Sequence, residues 1–227
     1  MKNVTLGYTN LLFAEGLESM VKKFEGFKVF YKIHNDKLLD NLSKIQNGPV
    51  ILILELDNPR KSDTLFIGSI LQTYPGLSIL LLSNTPSPAV SFELIEAGIS
   101  AYLLKSCTST DLQNALTKIT DGINYFCSKI TMKLISEKNN SDQYKANNHL
   151  TERENEILIM LVNNCSTSEV AGKLNISQNT VKTHKRNIQS KLGIHSMIGM
   201  LLYAVRNNLV EVGYHDLCNA CPHYSNN

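Results

Sequence analysis

Residues 177–192 read Ser-Gln-Asn-Thr-Val-Lys-Thr-His-Lys-Arg-Asn-Ile-Gln-Ser-Lys-Leu. Val181, Ile188 and Leu192 stand at i, i+7 and i+11, so a helix stacks them along one side. Thr183, Arg186 and Ser190 then point the opposite way, flanked by Lys182 and Asn187. The stretch holds four cations, Lys182, Lys185, Arg186 and Lys191, and no carboxylate. An apolar seam beneath a cationic, amide-bearing face suits the major groove of duplex DNA, which is wide enough to admit one helix. A run of charge alone fits a solvated surface helix as well.

The residues before this helix decide between the two. Ser166-Thr-Ser-Glu169 is a capping box, so a helix starts there. Val170, Ala171 and Leu174 are its apolar positions, and Ala171 is small enough for another helix to cross closely. Asn175 ends it, since asparagine tolerates the left-handed backbone that a tight turn needs. Ile176 plugs the turn and Ser177 caps the next helix. Helix, tight turn, cationic helix is the helix-turn-helix pattern. A second capping box, Thr151-Glu-Arg-Glu154, opens an earlier helix with Ile157, Leu158, Leu161 and Val162 as its stripe. A fourth helix is expected from about Ser196 to Asn207, carrying Met197, Met200, Leu201, Ala204 and Val205.

Leu150-Thr-Glu-Arg-Glu-Asn-Glu-Ile-Leu158, Ser-Glu-Val-Ala-Gly-Lys-Leu-Asn-Ile-Ser (168–177), Thr-Val-Lys-Thr-His (180–184) and Lys-Leu-Gly (191–193) together resemble the LuxR/NarL-type DNA-binding domain, over about residues 150–210. Gly172 departs from the long polar residue usual in that family, at a cost of roughly 1 kcal/mol in an exposed helix. The resemblance implies a homodimer on double-stranded DNA, with dimer contacts on the last helix around Met197 to Val205. Lys182, Thr183 and Arg186 face the groove near the helix start and are the candidates for base edges, with Asn187 beside them. Ser177, Asn179, Thr180, His184, Lys185 and Lys191 are better placed for phosphates, which position rather than specify. On geometry alone His184 reads first as a histidine packed at the edge of the core.

The chain has 227 residues, enough for two domains with separate cores. A hydrophobic content of 43% and a charged content of 19% are those of an ordinary globular protein. No apolar run is long enough for a membrane span, and no charged-then-apolar leader opens the chain, so the expected location is the cytoplasm. The net charge of +2 is unevenly spread: residues 150–210 carry seven Lys/Arg against four Asp/Glu, whereas 1–136 are nearly balanced. The basic excess therefore sits where a phosphate-binding surface would need it. Five cysteines (107, 127, 165, 218 and 221) form an odd count, which argues for reduced thiols.

Residues 1–136 alternate strands and helices. Strands are expected at Val4–Tyr8, Phe27–Ile33, Val50–Leu56, Ser78–Ser83 and Ala101–Leu104. Helices are expected at Leu11–Phe24 (with Leu12, Leu17, Met20, Val21 and Phe24 on one side), Lys37–Ile45, Thr64–Thr73, Ala89–Ala97 and Ser109–Asp121. Five β-α units predict an α/β doubly wound, five-stranded parallel sheet, followed by an all-α, four-helix helix-turn-helix domain. Residues 124–136 read as one further helix, and 137–149 as a polar, aperiodic linker. The domain reading is thus 1–122, a connecting helix and linker at 123–149, 150–210, and a tail at 211–227.

Phe-Ala-Glu-Gly-Leu (13–17), Ile-Leu-Glu-Leu-Asp-Asn-Pro (53–59) and Ala-Gly-Ile-Ser-Ala-Tyr-Leu-Leu-Lys (97–105) make the first domain resemble the flavodoxin-like receiver of response regulators. In that family two acids end the first strand and hold magnesium; here those positions are Tyr8 and Thr9. The phosphate-accepting aspartate lies four residues before a proline, and counting back from Pro59 gives Glu55. The resemblance places the switch hydroxyl on Ser83, the switch aromatic on Tyr102 and the phosphate-pairing lysine on Lys105. Magnesium needs several hard oxygens together, so an atypical receiver without normal aspartyl phosphorylation is expected. Glu55 would reach towards Lys105 and Ser83 in imitation of a phosphoaspartate, or simply pair with Lys105 as a buried carboxylate. A shifted register would instead make Asp57 the acceptor.

In the tail, His215, Cys218, Cys221 and His223 could bind zinc or sense redox state, although structural sites normally split their ligands between distant turns. No nucleophile elbow or Walker loop is present, and Glu93 and Glu96, three apart on one helix, fit a solvated face. The expected function is therefore a non-enzymatic, sequence-specific transcription regulator without a cofactor. The alternative is a receiver that senses a partner or ligand and gates the helix-turn-helix. RNA polymerase or another regulator is a further partner to consider, and a membrane is not.

Overall fold

The apolar runs of the first half become strands of one sheet. In a computed structural model describing residues 1–42, 51–84, 87–136, 150–163, 165–194 and 196–210, these are β1 (Lys2–Tyr8), β2 (Phe27–His34), β3 (Ile51–Leu56), β4 (Ser78–Ser83), β5 (Ala101–Leu104) and β6 (Tyr125–Phe126). All neighbours are parallel, in the order β2-β1-β3-β4-β5-β6. The chain steps outward from β1 to β2, then crosses back to β3, so the order reverses between β1 and β3. In doubly wound sheets that reversal opens a crevice at the carboxyl ends of the strands. Ile51 to Leu54 and Ile79 to Leu81 are wholly buried, as strands covered on both faces should be. The connecting helices are α1 (Leu11–Val21), α2 (Leu38–Leu42), α3 (Lys61–Thr73), α4 (Pro88–Glu96), α5 (Ser109–Thr120) and α6 (Ser128–Ser136).

Several details correct the sequence reading. The sheet has six strands rather than five, because Tyr125 and Phe126 pair with Ala101 and Tyr102. The helix expected over 124–136 begins only at Ser128 for the same reason. The apolar side of α1 is Ala14, Leu17 and Val21, while Leu12 is 81% and Met20 44% exposed. Leu12 lies more than a quarter-turn from the buried face. α3 starts three residues earlier than the sequence suggests, since the Asp63 carboxylate accepts the Arg60 N–H at 2.7 Å and anchors the first turn.

The first compact unit contains Met1–Lys133 and the second begins at Leu134. Within the second lie α7 (Glu152–Val162), α8 (Thr167–Leu174), α9 (Gln178–Leu192) and α10 (Met197–Arg206). Ile157, Leu158, Leu161, Val170, Ala171, Val181, Ile188, Leu192, Met200 and Ala204 form its core. Among the described residues, no helix is long and apolar enough to cross a membrane. The linker expected at 137–149 and the tail residues His215, Cys218, Cys221 and His223 lie outside the described residues.

Candidate functional site

The helix-turn-helix is built by caps. Ser166 Oγ accepts the Glu169 N–H at 3.2 Å, and the Glu169 carboxylate accepts the Ser166 N–H in return at 2.7 Å. Asn175 stands at φ 52°, ψ 44°, in the left-handed region, and Ile176 N–H closes back on the Ala171 carbonyl at 3.0 Å. Ser177 then caps α9, its Oγ accepting Thr180 N–H at 3.0 Å. Gln178 on α9 donates to Ser168 Oγ on α8 at 3.3 Å, tying the two helix starts together. Val181, Ile188 and Leu192 are buried, while Lys182, Thr183, Arg186 and Asn187 are exposed on the other side.

The cations divide by partner. Among the described residues, Lys182, Lys185 and Arg186 have no carboxylate within ion-pair distance. Lys191 donates to Glu154 Oε2 on α7 at 2.7 Å. Thr183 Oγ1 donates to the Asn179 carbonyl at 3.0 Å. His184 is half-buried and its Nδ1 is enclosed without a hydrogen-bond partner among the described residues. Ser177, Asn179 and Thr180 are exposed around the amino end of α9, and Lys185 is half-buried along its flank. On α10, Met197, Leu201 and Tyr203 are half-buried.

Glu154 is a site residue in its own right, although it is only 4% exposed. Its Oε2 accepts from Thr151 N–H at 2.8 Å and Thr151 Oγ at 3.0 Å as well as from Lys191. It therefore joins the start of α7 to the end of α9. The Lys191 ammonium, with help from the Thr151 amide and hydroxyl, holds the Glu154 carboxyl below the usual carboxylate range. A carboxyl held below its unfolded value of about 4.3 stabilises the fold above that pH, and the contribution drains away as pH falls through the folded value. Hydrogen exchange of α7 and α9 amides in the full chain should therefore accelerate as pH falls below about 4.3, relative to its intrinsic pH dependence. Glu154→Gln should show faster exchange at neutral pH and a smaller acid increment. Equal acid sensitivity in both proteins would contradict this role.

The second candidate site lies at the crevice between β1 and β3. Glu55, near the end of β3, is almost wholly buried, at 1% exposure. Its Oε2 accepts the N–H groups of Thr9 (2.9 Å) and Asn10 (3.1 Å), the backbone that leads into α1. Its Oε1 takes a hydrogen bond from Lys105 Nζ, which also bonds Asp57. The same ammonium lies 4.3 Å from the centroid of the Phe13 ring. Burial pulls the Lys105 ammonium down, but the hydrogen bonds to Asp57 and Glu55 prevail and it stands above the ordinary lysine range. Asn35 donates to the Glu55 carbonyl at 2.7 Å.

Glu55, Asp57 and Lys105 are thus brought together, and Ser83 and Tyr102 form a separate pair. Ser83 Oγ donates to the Asn84 carbonyl at 3.1 Å and lies 3.1 Å from the Tyr102 hydroxyl. Tyr102 is fully buried, and burial pushes its phenol up to about 12. The Tyr8 ring turns away from the crevice onto His34, edge to face at 5.6 Å between centroids. The donor set does not fit a magnesium ion. Tyr8 and Thr9 offer no carboxylate, both Glu55 oxygens are taken, and a lysine ammonium occupies the cationic position. Beside the crevice runs an apolar cleft of about 420 Å³, walled in part by Leu12, Phe13, Met20, Leu103, Leu112 and Cys107.

A doubly wound domain with a carboxylate–lysine crevice is thus followed by a capped four-helix helix-turn-helix unit. Residues 148–204 match the family model of bacterial regulatory proteins of the luxR family. The oxygen regulatory protein NreC of Staphylococcus carnosus is 26% identical over 216 residues, 92% of this chain and 94% of NreC. RcsB of Salmonella typhimurium is 26% identical, covering 89% of this chain and 98% of RcsB with a TM-score of 0.54. A second RcsB structure, of two dimers bound to two parallel DNAs, is 25% identical, covering 90% of this chain and 98% of that one, with a TM-score of 0.53. Residues 148–204 thus match the luxR family, and over nearly its whole length the chain is similar to response regulators of the LuxR/NarL type.

Proposed function

We propose that this chain is a sequence-specific, DNA-binding transcription regulator that works as a homodimer, with α9 in the major groove. The observation that carries the reading is the pair of exposed cations, Lys182 and Arg186, without carboxylate partners among the described residues, on the face opposite Val181, Ile188 and Leu192. RcsB dimers bound to DNA support the same assembly. In this reading Lys182, Thr183 and Arg186 read base edges, with Asn187 beside them, and Met197 to Val205 of α10 supply the dimer contact. Ser177, Asn179, Thr180, His184 and Lys185 face phosphates, and Lys191 divides its role between phosphate and Glu154. Genomic fragments selected by the wild-type protein give the test. Arg186→Ala should weaken binding to them by roughly 1–3 kcal/mol and relax the sequence preference. An equal loss on every duplex would reassign Arg186 to phosphate.

The amino-terminal domain, in this proposal, operates without aspartyl phosphorylation. Glu55 sets its carboxylate in the crevice one methylene further out than an aspartate, and Lys105 already pairs with it. In-line phosphoryl transfer tolerates little misplacement and relies on charge neutralisation at the transferring group. Incubation with acetyl phosphate and magnesium should leave the intact mass unchanged. A gain of about 80 Da, the mass of one added phosphoryl group, that disappears in Glu55→Ala or Asp57→Ala would overturn the proposal.

A further inference from the structure

Leu12, Gly16 and Met20 stand at i, i+4 and i+8 of α1, so they form one ridge along the helix. Leu12 is 81% and Met20 44% exposed, yet all three line the apolar cleft of about 420 Å³ beside the crevice. The strand ends contribute Leu82, Leu103 and Leu104 to the same cleft, and α5 contributes Leu112. A concave site of this volume, apolar in its walls and polar at one end, is of the size that takes a small molecule.

Gly16 has no role in the fold that requires a glycine. It lies in the middle of α1, where glycine costs roughly 1 kcal/mol relative to alanine. Its φ is not positive, and a Cβ placed on it would meet no neighbouring group within 4 Å. What the missing side chain leaves is width in the wall of the cleft. Filling that width, and covering Leu12 and Met20, removes apolar surface from water.

The charges select the occupant. Lys105 is the one charged residue lining the cleft among the described residues. Its ammonium is already committed, bonded to both Glu55 and Asp57 and set 4.3 Å from the centroid of the Phe13 ring. The amino end of α5 is committed too: the Asp111 carboxylate accepts the Thr108 N–H and the Thr108 hydroxyl, each at 2.8 Å. An anion entering the cleft therefore meets two carboxylates and no uncommitted cation, and would lose its hydration without a partner. An uncharged molecule pays no such penalty, and the Met20 thioether in the wall favours an aromatic ring.

We propose that this cleft is a binding site for an uncharged aromatic small molecule. Such a ligand rests against the lysine that holds Glu55, an input to the amino-terminal domain distinct from phosphoryl transfer. Its binding is read on the full chain without DNA or acetyl phosphate, so it succeeds or fails separately from either.

N-phenyl-1-naphthylamine, an uncharged aromatic fluorophore, should brighten on addition to the full chain and saturate at one molecule per chain. 8-Anilinonaphthalene-1-sulfonate, the same ring system with a sulfonate, should bind at least about tenfold more weakly, its charge finding no partner. Gly16→Leu should weaken the uncharged probe at least about tenfold by filling the cleft, whereas Gly16→Ala should keep it within about threefold. Both substitutions favour the helix, so neither should lower the urea midpoint of the amino-terminal unit. Met20→Glu, at an exposed position, is an independent variant that should also weaken the uncharged probe about threefold or more by removing apolar wall. No saturable brightening, tighter binding of the sulfonate than of the uncharged probe, or equal affinity in the wild type, Gly16→Leu and Met20→Glu would overturn the proposal. So would a probe that fails to bind while Gly16→Leu alone breaks a dimer in sedimentation, since a second copy of the chain would then cover the cleft.

Discussion

Lys105→Ala should lower the stability of the amino-terminal unit by about 3 kcal/mol, as removal of one partner from a buried ion pair does. The reason lies in what is left behind. Glu55 is 1% exposed and would keep its two backbone donors but lose its only cationic partner among the described residues. Asp57 is a smaller concern, since its side chain is half-exposed and water can replace the lysine. In urea the unit's midpoint should fall by about 1–2 M. Glu55→Gln in the Lys105→Ala background should recover much of the loss, because a neutral amide needs no counter-ion. A single variant that melts like the wild type would show that Glu55 is solvated, and the crevice would have to be redrawn.

Ile188→Ala should have an effect of similar size, about 2–5 kcal/mol on the helix-turn-helix unit. Ile188 is wholly buried in α9, within the cluster that joins α7, α8 and α10 to it. Removing its side chain opens a cavity beneath the helix while leaving Lys182, Lys185, Arg186 and Lys191 in the sequence. The variant should therefore lose DNA retention only at temperatures where α9 amides have lost hydrogen-exchange protection. Arg186→Ala should do the opposite and lose DNA with its protection intact. Loss of DNA by Ile188→Ala at temperatures where α9 remains protected would contradict a purely supporting role for the seam.

Local rules reach furthest where structure is decided within one or two turns. Both capping boxes form, Asn175 takes the left-handed backbone, and Ser177 caps the helix that follows. Each rests on residues three or four apart. The strands of the first domain are legible because a strand buried on both faces must be a continuous apolar run. What escapes depends on partners distant in sequence. Glu154 reads as a cap, and nothing local announces that Lys191, thirty-seven residues on, shares its carboxylate. Nothing local to Arg153 announces that its guanidinium donates to the Leu174 carbonyl at 3.0 Å and steadies the end of α8. β6 is two residues long, too short to show a period, and only its pairing with Ala101 and Tyr102 reveals it. At the crevice, the meeting of Glu55 with Lys105 follows from their places at the strand ends. The turn of Ser83 towards Tyr102 does not, since a hydroxyl's choice between two neighbours is settled by packing.

The central claim is that α9 meets duplex DNA through its exposed cationic face, and the salt dependence of binding tests it most directly. Fluorescence anisotropy of a labelled duplex, titrated with the full chain over a series of salt concentrations, should give a log affinity that falls linearly with log salt. Replacing Lys182 and Arg186 together by alanine should weaken binding, and replacing Lys185 as well should reduce the slope by about 1, one counter-ion for the phosphate no longer neutralised. Absence of any retention at low salt, or an unchanged affinity in the double variant, would contradict the account.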